Sequence, residues 1–224
     1  MDKIMSRDFR ELKLRTLYVF ILVATIFLLG ILLGYYLNEK RIESTEGLGK
    51  EISISIDDIE LINGISNNPC INKDYLNALS EQLDKYAIKL SYLEERLGKE
   101  SAKIIELKKP YTILMLKHYL AIEEQKEKCN EDYVTILFFY SNKKDEIGLS
   151  ENEAIILSYI KKKFENVMIY ALDLNLDLQI INQLKHRYNI TKAPALVING
   201  LVYGYLSKDE LENEVKKQKI RSIS

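Results

Sequence analysis

The chain has 224 residues, 47% hydrophobic and 29% charged, with 32 Lys and Arg against 33 Asp and Glu, two Cys, three Pro and no Trp. That composition excludes a long disordered chain, a collagen-like repeat and a cysteine-stapled miniprotein. The near-zero charge leaves no excess of cations to neutralise a phosphate backbone, so nucleic acid is not an expected partner.

Residues 1–15 carry Lys3, Arg7, Arg10, Lys13 and Arg15, and residues 16–37, TLYVFILVATIFLLGILLGYYL, carry no charge. At about 1.5 Å per helical residue the uncharged stretch reaches about 33 Å, enough for a bilayer core of roughly 30 Å. A cleaved signal peptide is the competing reading. It calls for a shorter apolar region and a small-x-small site, and Gly34-Tyr35-Tyr36-Leu37 supplies none. Basic residues before the span outnumber Lys40, Arg41 and Lys50 after it, which predicts a cytoplasmic N-terminus and an extracytoplasmic body. Tyr18, Tyr35 and Tyr36 suit the interfaces. Gly30 and Gly34 form a small-xxx-small pair that allows a homo-oligomer, although glycine is common in membrane helices for packing alone.

Residues 38–71 read as a juxtamembrane linker, with Gly47, Gly49, Gly64 and a turn signal at Asn67-Asn68-Pro69. Within it Ile52, Ile54 and Ile56 alternate with Ser, a pattern for a short edge strand or a segment docked on the body.

Residues 72–129 predict an α-helical hairpin. Leu76, Leu79, Leu83, Tyr86, Leu90, Leu93 and Leu97 recur at alternating spacings of three and four, a coiled-coil seam or one side of the hairpin. Asn72 or Asp74 caps its start and Gly98 ends it. Ile104, Leu107, Tyr111, Leu114, Leu116, Leu120 and Ile122 mark the second helix, in which Pro110 is a kink or the first turn of a new helix. Cys70 precedes the hairpin and Cys129 follows it, so an antiparallel return brings them together. Outside the cytoplasm they would form a structural disulfide, against two free thiols or an exchange-reactive pair.

Residues 130–224 alternate strand and helix as β-α-β-α-β-β-α, an α/β core. The expected strands are 134–140, 167–172, 195–198 and 201–205, and the expected helices 151–164, 177–188 and one after Ser207. Ser150 with Glu153, and Ser207 with Glu210, have capping-box spacing, and Asn199-Gly200 is a hairpin turn.

That order, with Thr191-Lys192-Ala193-Pro194-Ala195-Leu196-Val197-Ile198-Asn199-Gly200, resembles the thioredoxin-like superfamily, and in particular its membrane-anchored members from prokaryotes, archaea among them. Tyr188-Asn189-Ile190 looks like the segment leading into that family's proline turn, and Gly204 like the glycine of its last strand. The resemblance covers about residues 131–220. It implies that Pro194 is cis and lies beside the position of the active-site dithiol, with a trans proline at the start of the strand as the plain alternative. It also implies a peptide groove at Ala193, Pro194 and Ala195. The family's C-x-x-C belongs immediately after the first core strand, where a helix N-terminus activates a thiolate. Residues 141–150 contain no Cys.

Other chemistry finds little support. Ser141 and Ser150 have no base at defined spacing, and His118 and His186 sit in helical patterns that suit packing or a helix surface. Asp145, Glu146 and Asp173 form an acidic site only if the loops converge, and are otherwise solvated. Lys161-Lys162-Lys163 reads as a solvated helix face, and Asn189-Ile190-Thr191 matches a glycosylation acceptor. No catalytic residue, cofactor or metal ligand is therefore assigned. The expected function is a membrane-tethered, redox-inactive thioredoxin-like module that binds a protein or peptide. The alternatives are an atypical thiol-disulfide oxidoreductase using Cys70 and Cys129, and a structural subunit of a membrane complex.

Overall fold

The computed structural model describes residues 2–65, 70 and 73–221. The elements are α1 (Asp2–Ile65), α2 (Lys73–Leu97), α3 (Ala102–Cys129), β1 (Val134–Tyr140), α4 (Ile147–Lys163), β2 (Val167–Asp173), α5 (Gln179–Arg187), β3 (Ala195–Ile198), β4 (Leu201–Tyr203) and α6 (Lys208–Arg221). They divide into two units, Met1–Gly47 and Leu48–Ser224.

The first unit is helical where described. Its segment Arg15–Tyr36 is long and apolar enough to cross a membrane, and none of it is buried within the protein.

The second unit begins with the end of α1, and of the two readings of Ile52 to Ile56 the docked segment forms and the edge strand does not. The helix runs on to Ile65, and no strand forms at Ile52 to Ile56. Leu48, Ile52, Ile56 and Ile59 make a stripe at helical spacing and are buried against Leu79, Tyr86 and Leu90 of α2 and Ile104, Leu107 and Leu114 of α3. Ile54, the middle member of the supposed alternation, is 67% exposed. The expected turn at Asn67-Asn68-Pro69 and the cap at Asn72 lie outside the described residues.

The hairpin forms as expected, and its seam is filled from within the chain by α1 and α3 together. Gly98 ends α2 with φ 84°, a left-handed conformation that glycine adopts without a Cβ penalty. Ser101 caps α3 by accepting the Ile104 N–H at 3.4 Å, and Pro110 lies inside that helix rather than opening a new one.

The sheet order is β2-β1-β3-β4. β1 is parallel to β2 and antiparallel to β3, and β3 is antiparallel to β4. Both faces of β1 are covered, which is why its sequence is apolar on both faces, with Thr135 the one polar member. Leu137 and Phe139 pack toward Met115 and Leu116 of α3 and Ile181 of α5. Val134, Ile136 and Phe138 pack toward Leu157 and Ile160 of α4 and Leu211 and Val215 of α6. Asn199 (φ 45°) and Gly200 (φ 84°) make the β3–β4 turn. The elements follow the β-α-β-α-β-β-α order expected from the sequence.

The carboxylate half of a capping box forms at one of the two expected positions and not at the other. Ser207 donates to Glu210 Oε2 from its N–H at 2.9 Å and from its hydroxyl at 2.6 Å, at the start of α6. At Ser150 the helix has already begun, because α4 starts at Ile147, with Glu146 at its N-cap. Ser150 and Glu153 are instead buried on the inner side of α4.

Candidate functional site

Two connections meet at the C-terminal end of β1. After α5 the chain turns through Asn189 (φ 50°), with the Ile190 N–H donating to Lys185 C=O at 2.9 Å. It then reaches β3 through a cis Ala193–Pro194 bond, the isomer implied by the resemblance. Ala193, Pro194 and Ala195, the residues expected to form the groove, are all buried. The Ala193 N–H donates to Glu146 Oε1 at 3.3 Å.

The loop after β1 is held by oxygen and nitrogen groups. Ser150 Oγ accepts the Ser141 N–H at 3.2 Å, and Ser141 Oγ accepts the Lys143 N–H at 3.2 Å and Asn175 Nδ2 at 2.8 Å. Both serine oxygens thus act as acceptors that hold the loop. Asp173 is half-buried beside the loop, where Asn142 Nδ2 reaches its Oδ2 at 3.5 Å. Asp145 is exposed, so the suggested acidic triad is divided among three separate tasks.

A buried cation faces that carboxylate from the hairpin. Lys108 is 4% exposed, and its Nζ lies 3.2 Å from Glu94 and 3.4 Å from Asp173. It also donates to Lys99 C=O at 3.3 Å. The sequence carries a signal for this placement, since Lys108 lies four residues after buried Ile104, on the core-facing stripe of α3. Two clefts adjoin this charge cluster. One, of about 240 Å³, is lined by Phe138, Tyr140, Ile147 and Ala154. The other, of about 270 Å³, lies between Leu90 of α2 and Ala171 of β2. Burial raises the Tyr140 phenol, with the Asp173 charge adding to the shift. Desolvation and the Asp84 charge push Tyr111 up to about 12.

Further along β2, Ser80 Oγ is 2.9 Å from His118 Nε2, and His118 Nδ1 is 2.8 Å from the Tyr170 hydroxyl. Burial first, and then the Lys161 charge, lower the His118 pKa to about 4. The row has the order of a nucleophile, a base and an orienting group. However, Ser80 lies inside α2, where main-chain N–H groups are spent on the helix, and an imidazole of this pKa is a weak base at neutral pH. The row therefore joins the hairpin to the sheet, the packing role expected for His118. His186 is exposed on α5.

Glu153 is 0% exposed. Its Oε2 accepts the Leu206 N–H at 3.0 Å, while its Oε1 has no partner. Burial raises its pKa to about 7, against the lowering effect of that hydrogen bond.

The two cysteines form a disulfide with Cα atoms 5.4 Å apart. Cys129 ends α3 and lies before β1, whereas the loop 141–146 follows it. A seven-residue strand, about 23 Å long, intervenes. Among the described residues no group of three His, Cys, Asp or Glu is placed to hold a metal ion.

No family model and no curated protein matches the chain. Among solved structures it is similar to the germline-specific thioredoxin Deadhead of Drosophila melanogaster, at 15% identity and TM-score 0.34, covering 46% of this chain and 92% of that one. It is also similar to a thioredoxin of Fasciola hepatica, at 14% identity and TM-score 0.35, covering 45% and 93%. A thioredoxin of Arabidopsis thaliana in its oxidized state has 11% identity and TM-score 0.36, covering 46% and 87%. At these values nothing about activity passes from those proteins to this chain.

Proposed function

We propose that the chain is a membrane-tethered, thioredoxin-like module that binds a protein or an extended peptide and performs no thiol exchange. One observation carries this reading: the loop beside cis Pro194 has serine and asparagine in place of sulfur, while Cys70 and Cys129 are joined to each other beyond the other end of β1. A nucleophilic thiolate has no source at the position where the fold would activate one. Arg15–Tyr36 serves as the anchor, and the basic residues before it favour a cytoplasmic N-terminus. A structural disulfide suits a body in an oxidising compartment.

The exposure of Cys70 favours the second reading, an oxidoreductase that uses the hairpin disulfide itself. Thiol trapping in intact membranes, with peptide mapping and a reduction titration, separates the two. A pair that stays linked under mild reductant supports the binding module. A pair that cycles with added glutathione and accelerates the reduction of a second disulfide protein establishes the oxidoreductase.

A further inference from the structure

β2 is an edge strand, hydrogen-bonded to β1 on one side only. The direction of its free main-chain groups follows from the ladder. The Leu174 N–H donates to Tyr140 C=O at 2.8 Å, so Leu174 faces β1. In a parallel pair each residue points its N–H and C=O to the same side and successive residues alternate. Tyr170 and Leu172 therefore also bond toward β1, and Ile169, Ala171 and Asp173 point away from it. Among the described residues no hairpin main chain pairs with these three. Ala171, the middle one, is exposed.

An uncovered strand edge is ordinarily shielded by charge, proline or a bulge. This one is bordered by a trough. Three clefts of about 250, 270 and 240 Å³ follow one another along β2 from Met168 to Asp173. Ile169 lines the first two and Ala171 the last two, with Ala87 and Leu90 of α2 on the opposite wall and Tyr111 and Met115 of α3 beneath. The strand from 168 to 173 is about 20 Å long, room for one extended segment of similar length.

The charges in the trough define what fits. Lys108 is matched by Glu94 and Asp173, and Lys99 by Glu151 at 3.3 Å. Lys161 shares its cleft with Asp84. The lining carries three lysines against four carboxylates, and Glu94, Asp173 and Glu151 are each already engaged by a lysine, so a charged segment gains little there, while the two clefts nearer Asp173 are walled mostly by apolar groups.

We infer that the trough takes an extended, uncharged, apolar segment of another polypeptide, added as a strand to the edge of β2 through the main chain of Ile169 and Ala171. This inference rests on the binding-module reading, and moves the docking position from the cis-proline turn at β3 to the β2 edge of the sheet.

The test uses the full chain in detergent or nanodiscs. The probe is a fluorescent, end-blocked heptapeptide alternating Val and Ala with a neutral solubilising tag, together with the same peptide N-methylated on alternate amides. Wild type is expected to bind the first and to lose about tenfold or more in affinity for the second, since N-methylation removes main-chain donors. Ala171→Pro removes the outward N–H at an edge position where proline is tolerated, and Ala87→Trp fills the trough from the helix side. Each is expected to weaken binding about tenfold or more. Thermal unfolding identifies any variant that fails to fold, and the other variant then decides. Undiminished binding by a folded variant, equal affinity for the N-methylated peptide, or tighter binding of Lys- or Glu-substituted peptides overturns the strand-addition inference. Thiol exchange is measured on the same preparation. Exchange activity overturns the binding-module reading, whereas edge-insensitive binding without exchange leaves that reading standing and removes only the docking position.

Discussion

Glu146 accepts the main-chain N–H of Ala193 at 3.3 Å, joining the loop after β1 to the residue before cis Pro194. The N–H that a peptide laid along residues 193–195 would seek is thus already occupied by the protein's own carboxylate. Glu146→Ala is expected to free it and to raise photocrosslinking of an extended peptide at Ala193 to Ala195 by about tenfold, the equivalent of one recovered hydrogen bond. Glu146→Gln keeps an acceptor and is expected to behave as wild type. Equal crosslinking in all three proteins would remove these residues from the binding reading.

Glu153 and His118 give opposite dependences of stability on pH. The carboxyl of Glu153 rises from 4.5 to about 7 in the fold. Ionisation adds no cost below pH 4.5, and stability falls as pH climbs toward 7, because the unfolded chain loses its proton first. His118 drops from 6.5 to about 4, so its contribution is complete above pH 6.5 and is lost as pH falls toward 4. Each shift corresponds to roughly 3 kcal/mol. Relative to wild type, Glu153→Gln is expected to gain stability between pH 4.5 and 7, and His118→Gln to lose its acid sensitivity between pH 6.5 and 4. Urea titrations across that range check both signs, and parallel curves for variant and wild type would refute them.

Lys108 holds the top of the hairpin to the end of β2 through Glu94 and Asp173. Lys108→Met leaves two partly buried carboxylates facing each other, and is expected to cost about 3 kcal/mol in urea denaturation. Adding Glu94→Leu relieves part of that repulsion and should recover part of the loss. A cost below about 1 kcal/mol for the single variant would mean that water reaches the cluster and screens it.

The Cys70–Cys129 bond spans a sequence separation of 59 residues. In the chain-entropy account a loop of this size stabilises by about 4 kcal/mol, so replacing both cysteines with Ser is expected to lower unfolding stability by about that amount. Denaturation of the double variant beside the oxidised protein measures it, and a difference near zero would show that the unfolded hairpin stays compact on its own.

The sequence made the sheet and hairpin legible because their signals were redundant. The run Val134 to Tyr140 is apolar at every position but Thr135, and the α2 stripe repeats through seven residues. Signals resting on two or three residues divided. Ser207 with Glu210 caps a helix, whereas Ser150 with Glu153 at the same spacing does not. Ile147, Ser150, Ala154 and Leu157 form a helical stripe in which polar Ser150 occupies an inward position, so periodicity counted on apolar residues alone starts the helix too late. Ile52, Ile54 and Ile56 fit a strand or a docked segment equally, and what decides for the docked helix, Leu48 and Ile59 at helical spacing, lies outside that window. The cis-proline turn was legible from its motif. The Lys108 cluster and the β2 edge were not, since both depend on which helix is brought beside which strand.

The disulfide makes residues 70–129 a closed covalent ring, with the hairpin turn at Gly98–Ser101 as part of its circumference. A protease that cuts at exposed Lys99 opens this ring without dividing the molecule. The nicked protein keeps one mass under non-reducing conditions and separates into two fragments only after reduction. Proteolytic loss of the sheet domain from α1 through that turn therefore requires two chemical events, a cleavage and a reduction.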